Sequence, residues 1–170
     1  MRERSAVVLP VPEAEHVLRR WRSAFTRDGR EGMGAHVTLL FPFAEPEELP
    51  AEVERLRSHF AQAAPFRFAL TEPRRFDGGV LYLAPEPAEP LRQLAEELHA
   101  VYPGRPPYGG AHTEIVPHCT FVDGQEPTVL DEAEATVRPQ LPIEAVAIEA
   151  WLVEYVAEGW SVRARLPFGQ

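Results

Sequence analysis

Lysine is absent from this chain of 170 residues, and all 17 basic residues are arginine. A mechanism built on a lysine nucleophile, such as nucleotidyl-lysine formation, is therefore excluded. Beside so many alanines and prolines, the absence reads as genomic base composition more than as a functional device. A single cysteine, Cys119, excludes an internal disulfide and suits a reducing cytoplasm. No apolar run approaches the roughly 18 residues that span a bilayer. The charged start Met1-Arg2-Glu3-Arg4 is not followed by the apolar region of a signal peptide. A cytoplasmic protein without membrane attachment is expected. Positive charge is also in deficit, with a formal net charge of −9. Proteins that track along nucleic acid neutralise phosphates with a basic surface. This chain would repel long polyanions, so nonspecific binding to long nucleic acid is not expected. A nucleic-acid terminus or a small nucleotide is the better target. The chain is 45% hydrophobic, which suits one domain over residues 1–170 with an adequate core. Monomer is the default.

Periodicity divides the chain into short alternating elements. Residues 5–9 read as a strand closed by Pro10. Pro12 then starts a helix whose face carries Val17, Leu18, Trp21 and Phe25. Residues 28–34 form a glycine-containing loop, and residues 35–41 a strand ended by Pro42. Leu49, Val53, Leu56 and Phe60 mark an amphipathic helix. Residues 66–70 and 80–83 read as strands, with a turn at Asp77-Gly78-Gly79. Leu91, Leu94, Leu98 and Val101 give another helical stripe, followed by a Pro/Gly-rich loop over 103–110. Residues 116–122 are a strand, and Thr128 with Asp131 predicts a capped helix to about Val137. Three strands close the chain, over 143–148, 151–156 and 160–166.

One tripeptide pattern occurs twice in this order. His36-Val37-Thr38 and His118-Cys119-Thr120 each lie in an apolar strand, 82 residues apart. Side chains alternate along a strand, so each His and Thr share one face and the middle residue takes the other. After each motif come a helix, a strand beginning with proline plus an apolar residue, and further strands. This weak repeat predicts a pseudo-twofold α+β fold, with lobes over about 1–85 and 86–170 and both motifs at one central cleft. Histidine exchanges protons near neutral pH. Two imidazoles across a cleft can act as base on an attacking oxygen and acid on a departing one. Thr38 and Thr120 can donate hydrogen bonds to phosphate oxygens as charge develops there. That set suits phosphodiester cleavage without a metal or other cofactor.

The runs Gly34-Ala35-His36-Val37-Thr38-Leu39-Leu40-Phe41-Pro42-Phe43 and Glu114-Ile115-Val116-Pro117-His118-Cys119-Thr120-Phe121-Val122 resemble the two-histidine (2H) phosphoesterase superfamily, in its 2'-5' RNA ligase-like branch. The order of elements agrees over nearly the whole chain. The resemblance implies a bilobal fold with two antiparallel sheets around a central cleft and helices outside. It implies an RNA-processing type of chemistry: opening of 2',3'-cyclic phosphates at RNA ends or on small nucleotides, typically to 2'-phosphates. Some relatives join or cleave 2'-5' RNA linkages instead. Carried over by position, His36 and His118 are the catalytic pair, and Thr38 and Thr120 bind phosphate. The roles taken are His118 as base on water and His36 as acid on the leaving oxygen. Cys119 departs from the usual aliphatic residue and, by alternation, points into the core. Alternatives are a nucleotide- or RNA-end-binding module of the same fold with little turnover, and a metal hydrolase using His36, His118, His112 and Glu114. No tight ligand spacing supports the metal.

Further substrate contacts are candidates only. His112 has its threonine adjacent, not two residues on, so it is no third copy of the motif; it reads as a loop residue near the cleft. Arg74 and Arg75 precede a glycine turn and can reach a phosphate there. Phe41, Tyr82, Tyr108 and Trp151 are candidates to stack on a base, Tyr108 foremost because it lies in the loop before the second motif. Arg163, Arg165 and Ser161 share one face of the last strand. Trp160, Val162, Ala164 and Leu166 on the other face read as core.

Overall fold

A computed structural model describes residues 5–106 and 114–169. Ser5–Pro10 (β1) is buried on both faces because its alternating side chains enter two different clusters. Val7 and Leu9 join the main core, while Ala6 and Val8 join a smaller cluster with Met33 and Val153. A 3-10 turn at Pro12–Ala14 leads into Glu15–Phe25 (α1), whose buried stripe is Val17, Leu18, Trp21 and Arg22. A short helix follows at Arg27–Arg30 (α2), where a loop was expected; the Thr26 side chain caps it by accepting from the Gly29 N–H. His36–Leu40 (β2) and Leu49–Phe60 (α3) come next.

Phe66–Phe76 (β3) runs past the expected end at residue 70, and its partner Val80–Glu86 (β4) pairs with it from Phe76↔Val80 to Ala69↔Glu86. Gly78 and Gly79 turn the hairpin at φ of +85° and +77°. At Gly79 a Cβ would fall 2.2 Å from the Gln125 carbonyl oxygen, so close approach as well as φ requires glycine. Glu89–Val101 (α4) precedes Cys119–Val122 (β5), which is shorter than the predicted 116–122. Pro127–Val137 (α5) begins at Pro127 after Glu126, without the expected Thr128 cap. Ile143–Ala147 (β6), Glu149–Val156 (β7) and Gly159–Pro167 (β8) complete the fold.

The strands form two four-stranded antiparallel sheets, ordered β2-β1-β7-β8 and β5-β4-β3-β6. The expected α+β architecture is present, with a motif strand at the edge of each sheet. Each sheet takes two strands from the first half of the chain and two from the second: β7 pairs with β1 and carries β8 on its other edge, while β5 pairs with β4 and β6 with β3. The two edge strands approach each other, and the Cys119 thiol accepts from the His36 backbone N–H between them. The core lies on the sheet faces away from this junction, against Leu18, Leu56, Phe60, Leu91 and Leu98 of the helices.

Candidate active site

Alternation in β2 buries Val37 and Leu39 and leaves His36 and Thr38 half-buried on the opposite face. In β5, Cys119 and Phe121 are buried, whereas His118, immediately before the strand, and Thr120 are half-buried. All four line one cavity of about 480 Å³ between the sheets. Burial raises the Cys119 thiol to about 11, so it is an inert part of the core.

The two imidazoles are held in the same way. His36 Nδ1 lies 2.7 Å from the Gly34 carbonyl oxygen, and His118 Nδ1 lies 2.6 Å from that of Val116. A carbonyl only accepts, so each Nδ1 donates its proton and each neutral ring keeps Nε2 as its basic nitrogen. The Gly34 turn is fixed in its own right, because Glu15 accepts from the Ala35 N–H beside it.

The surroundings of the rings differ. Asp28, on α2, brings Oδ2 within 3.6 Å of His36 Nε2. Arg22, buried on α1, donates from Nη2 to Asp28 Oδ1 and to the Met33 carbonyl, each at 3.0 Å. Its Nη1 donates to the Thr120 carbonyl at 2.7 Å, so one guanidinium touches both halves of the site. Burial pushes the His36 imidazole below its ordinary value; Asp28 pulls it back up, and Arg22 and His118 add to the depression. Burial works to raise the Asp28 carboxyl, but the charges of His36 and Arg22, with bonds from Thr26 and Gly29, hold it below the ordinary value. His118 instead stands edge-on to two rings, Phe76 at 5.1 Å and Tyr82 at 5.6 Å between centroids.

Among the further candidates, Phe41 lines the cavity. Tyr82 does not; it is buried behind His118 and stacked on Phe76 at 4.2 Å. Arg74 pairs with Glu72, and Arg75 pairs with Asp131 at 2.7 Å and Glu134 at 3.6 Å, so the structure turns both toward carboxylates and away from the cavity. Trp151 is covered by Arg165 at 5.5 Å and donates to Glu149, also outside the cavity. Tyr108 and His112 lie outside the described residues. Glu114 borders a second cavity of about 570 Å³ that adjoins the first at Thr38, His118 and Thr120. Among the described residues, no group of three His, Cys, Asp or Glu is spaced to hold a metal ion.

Lining residues that the sequence did not offer as site candidates include Asp28, Glu31, Asp123, Tyr155 and Trp160. Trp160 was read as core, together with Val162. A register shift between Leu152 and Val153 breaks the alternation opposite them. Ala164 and Leu166 stay buried, Val162 is 44% exposed, and Trp160 turns to Phe41 and Tyr155 in the cleft.

The model of the 2'-5' RNA ligase superfamily matches residues 9–159. The chain belongs to this superfamily. Its members are two-histidine phosphoesterases, and the chain is similar to the Geobacillus kaustophilus (strain HTA426) protein named "Putative phosphoesterase GK0864". The identity is 32% over 119 residues, covering 67% of this chain and 63% of that protein, so under two thirds of the relative's length is matched. The same fold appears in solved structures. Escherichia coli LigT complexed with 3'-AMP superposes with a TM-score of 0.67, 20% identity and 98% coverage of both chains. LigT complexed with ATP gives 0.65, 17% and 98% of both. TT0787 of Thermus thermophilus gives 0.64 and 23%, over 96% of this chain and 97% of that one. No helix among the described residues is long and apolar enough to cross a membrane.

Proposed function

We propose that this superfamily member is a metal-independent phosphodiesterase that opens 2',3'-cyclic phosphates on small nucleotides or at RNA ends. The observation that carries the reading is the shared tether. Both imidazoles bond a carbonyl two residues upstream through Nδ1, so both keep Nε2 for proton transfer at one cavity that also holds two threonine hydroxyls. Water attacks phosphorus while His118 Nε2 takes its proton. The bond from phosphorus to one ribose oxygen breaks, and that oxygen takes a proton from His36 Nε2. The product is a phosphomonoester, with His118 protonated and His36 neutral; exchange with solvent restores the pair. Thr38 and Thr120 donate to the non-bridging oxygens, where negative charge grows. The aromatic group of Phe41, Tyr155 and Trp160 offers stacking surface for a base.

A 2',3'-cyclic mononucleotide incubated with the protein in EDTA tests the reading, with the product followed by chromatography. Turnover should be unchanged by the chelator. Loss of turnover in EDTA and its return with zinc would instead identify a metal hydrolase. Thr38→Val or Thr120→Val should each lower kcat about 10²-fold, the usual effect of losing one oxyanion donor. Equal kcat in both variants and the wild type would remove the threonines from the phosphate site.

The second cavity favours a second reading. It meets the first at Thr38, His118 and Thr120, on the side of the proposed base, and it is far larger than a water molecule. An alcohol nucleophile, such as the 5'-hydroxyl of a second nucleoside, fits that space. The same acid and base would then join ends, as 2'-5' RNA ligase-type activity requires.

A further inference from the structure

We infer that a second nucleotide of the substrate binds outside the cavity, on Trp151 and Arg165, so that the protein prefers the cyclic end of an RNA chain to a cyclic mononucleotide. This rests on the reading of the cavity as a phosphodiesterase site.

Strand register joins the two places. Thr38 stands opposite Val8, Val8 opposite Trp151, and Trp151 opposite Arg165. Residues opposite one another in a ladder project to the same face. One row therefore crosses β2, β1, β7 and β8, from the phosphate donor Thr38 to Arg165. Thr38 and Val8 line the cavity, and Trp151 packs on the same small cluster as Val8, Phe41 and Trp160. Strands lie about 4.8 Å apart, which puts the Trp151 backbone about 10 Å and the Arg165 backbone about 14 Å from that of Thr38. The next row extends the surface, with Ala6 opposite Val153 and Val153 opposite Val162. The register shift leaves Arg163 as the extra residue, so Arg165 and Val162, three apart, reach one face. That is why Val162 is exposed beside Trp151 and Arg165.

The chemistry of the pair suits a nucleotide. Trp151 Nε1 donates to Glu149 at 2.8 Å, which holds the indole, and the Arg165 guanidinium lies over that ring. The Arg165 side chain is 69% exposed and stands 3.9 Å from Glu149, a weak surface pair that a phosphate can replace. A guanidinium on an aromatic ring offers a stacking plane to a base and N–H donors to a phosphate. The cavity has its own aromatic group in Phe41, Tyr155 and Trp160 for the terminal base. A mononucleotide has one base and fills one of these places. An RNA end fills both, with the phosphodiester on the 5' side of its terminal nucleoside at Arg165 and the next base on the Trp151/Arg165 pair. Arg163, on the same strand, is 3.9 Å from Glu154. With a net charge of −9 so short a contact serves the last few nucleotides and not a long polyanion.

The test compares a 2',3'-cyclic mononucleotide with a tetranucleotide ending in the same cyclic nucleotide. For the wild type, kcat/KM should be about 10-fold or more higher for the tetranucleotide, the usual effect of one stacked base. Arg165→Gln and Trp151→Leu should each bring that ratio toward one, and Trp151→Phe should keep most of it. In Arg165→Gln the salt dependence of tetranucleotide binding should weaken, with a log–log slope smaller by about 0.7, one lost phosphate contact on a single strand. Calorimetry with a 2'-phosphate-ended tetranucleotide and a nucleoside 2'-phosphate repeats the comparison without turnover. A wild-type ratio near one overturns the inference, as does a preference that survives both Arg165→Gln and Trp151→Leu. Because each result is a ratio within one variant, a general loss of stability does not imitate it. A wild-type protein inactive on cyclic phosphates would defeat the functional reading alone; the ratio of affinities would still decide whether Trp151 and Arg165 hold a second nucleotide.

Discussion

His118→Ala and His36→Ala should each lower kcat on a 2',3'-cyclic nucleotide by about 10²- to 10⁴-fold, the range for loss of a general acid or base. KM should change little, since phosphate contacts remain at Thr38 and Thr120. The fold should survive, because neither ring carries core packing. His118 precedes β5 and touches two rings at their edges, and His36 faces the cavity from the edge of its sheet. Buried Cys119 and Val37, not the histidines, fasten the two strands to the core. The double variant should be little worse than the poorer single one, since an acid without its base no longer shares one transition state. Steady-state kinetics beside a thermal melt decide the matter. Full activity in either single variant at an unchanged melting temperature would end the two-histidine mechanism.

A diester with a 4-nitrophenolate leaving group sharpens the assignment. That leaving group departs as an anion and needs no acid, so His36→Ala should keep most of its activity toward it, whereas His118→Ala should not. The reverse pattern would exchange the roles. Both experiments depend on which imidazole carries the proton, which the shared Nδ1 tethers leave open.

Much of this site was legible in the residues because strand alternation is a strong local rule. The pairs His36/Thr38 and His118/Thr120 share the cavity, and Cys119 turns into the core, as period two demands. The repeat of elements was also legible, but the sheet to which each strand belongs was not. Nothing local tells β7 to return to β1 and so place strands from both halves in each sheet. Trp160 was hidden by the register shift opposite it, a feature of pairing that one strand's own pattern does not contain. Arg74 and Arg75 were placed by their glycine turn, but Asp131 and Glu134 on α5 determine where Arg75 points. Asp28 lay in a segment read as loop, and its importance depends on Arg22. That arginine did carry a signal. It lies four residues after Leu18 and one after Trp21, on the stripe that α1 buries. A charged residue on an apolar stripe implies a buried partner, and the sequence holds no means of saying that the partner is six residues on.

Arg22→Ala should be the most destabilising single change at the site, by about 3 kcal/mol, the lower end for breaking a buried ion pair. The lower end applies because the Asp28 side chain is 36% exposed and regains some water, while that of Arg22 is only 3% exposed. In a chain of this size the melting temperature should fall by about 6–12 °C. Three acceptors lose their donor at once: Asp28 Oδ1 and the carbonyls of Met33 and Thr120. Leaving buried acceptors bare is more harmful than the lost attraction itself. Arg22→Lys should restore little, because one ammonium does not reproduce the fork that reaches α2, the segment before β2, and β5 together. Arg22→Met with Asp28→Asn should be more stable than Arg22→Met alone, since the second change removes the stranded charge. If Arg22→Ala melts within a degree of wild type, the guanidinium is not the strut between the motif strands, and the spacing of His36 from Thr120 must be held elsewhere. If it melts low but keeps wild-type kcat below its transition, the strut serves stability alone, and the Asp28 carboxylate keeps its place at His36 without it.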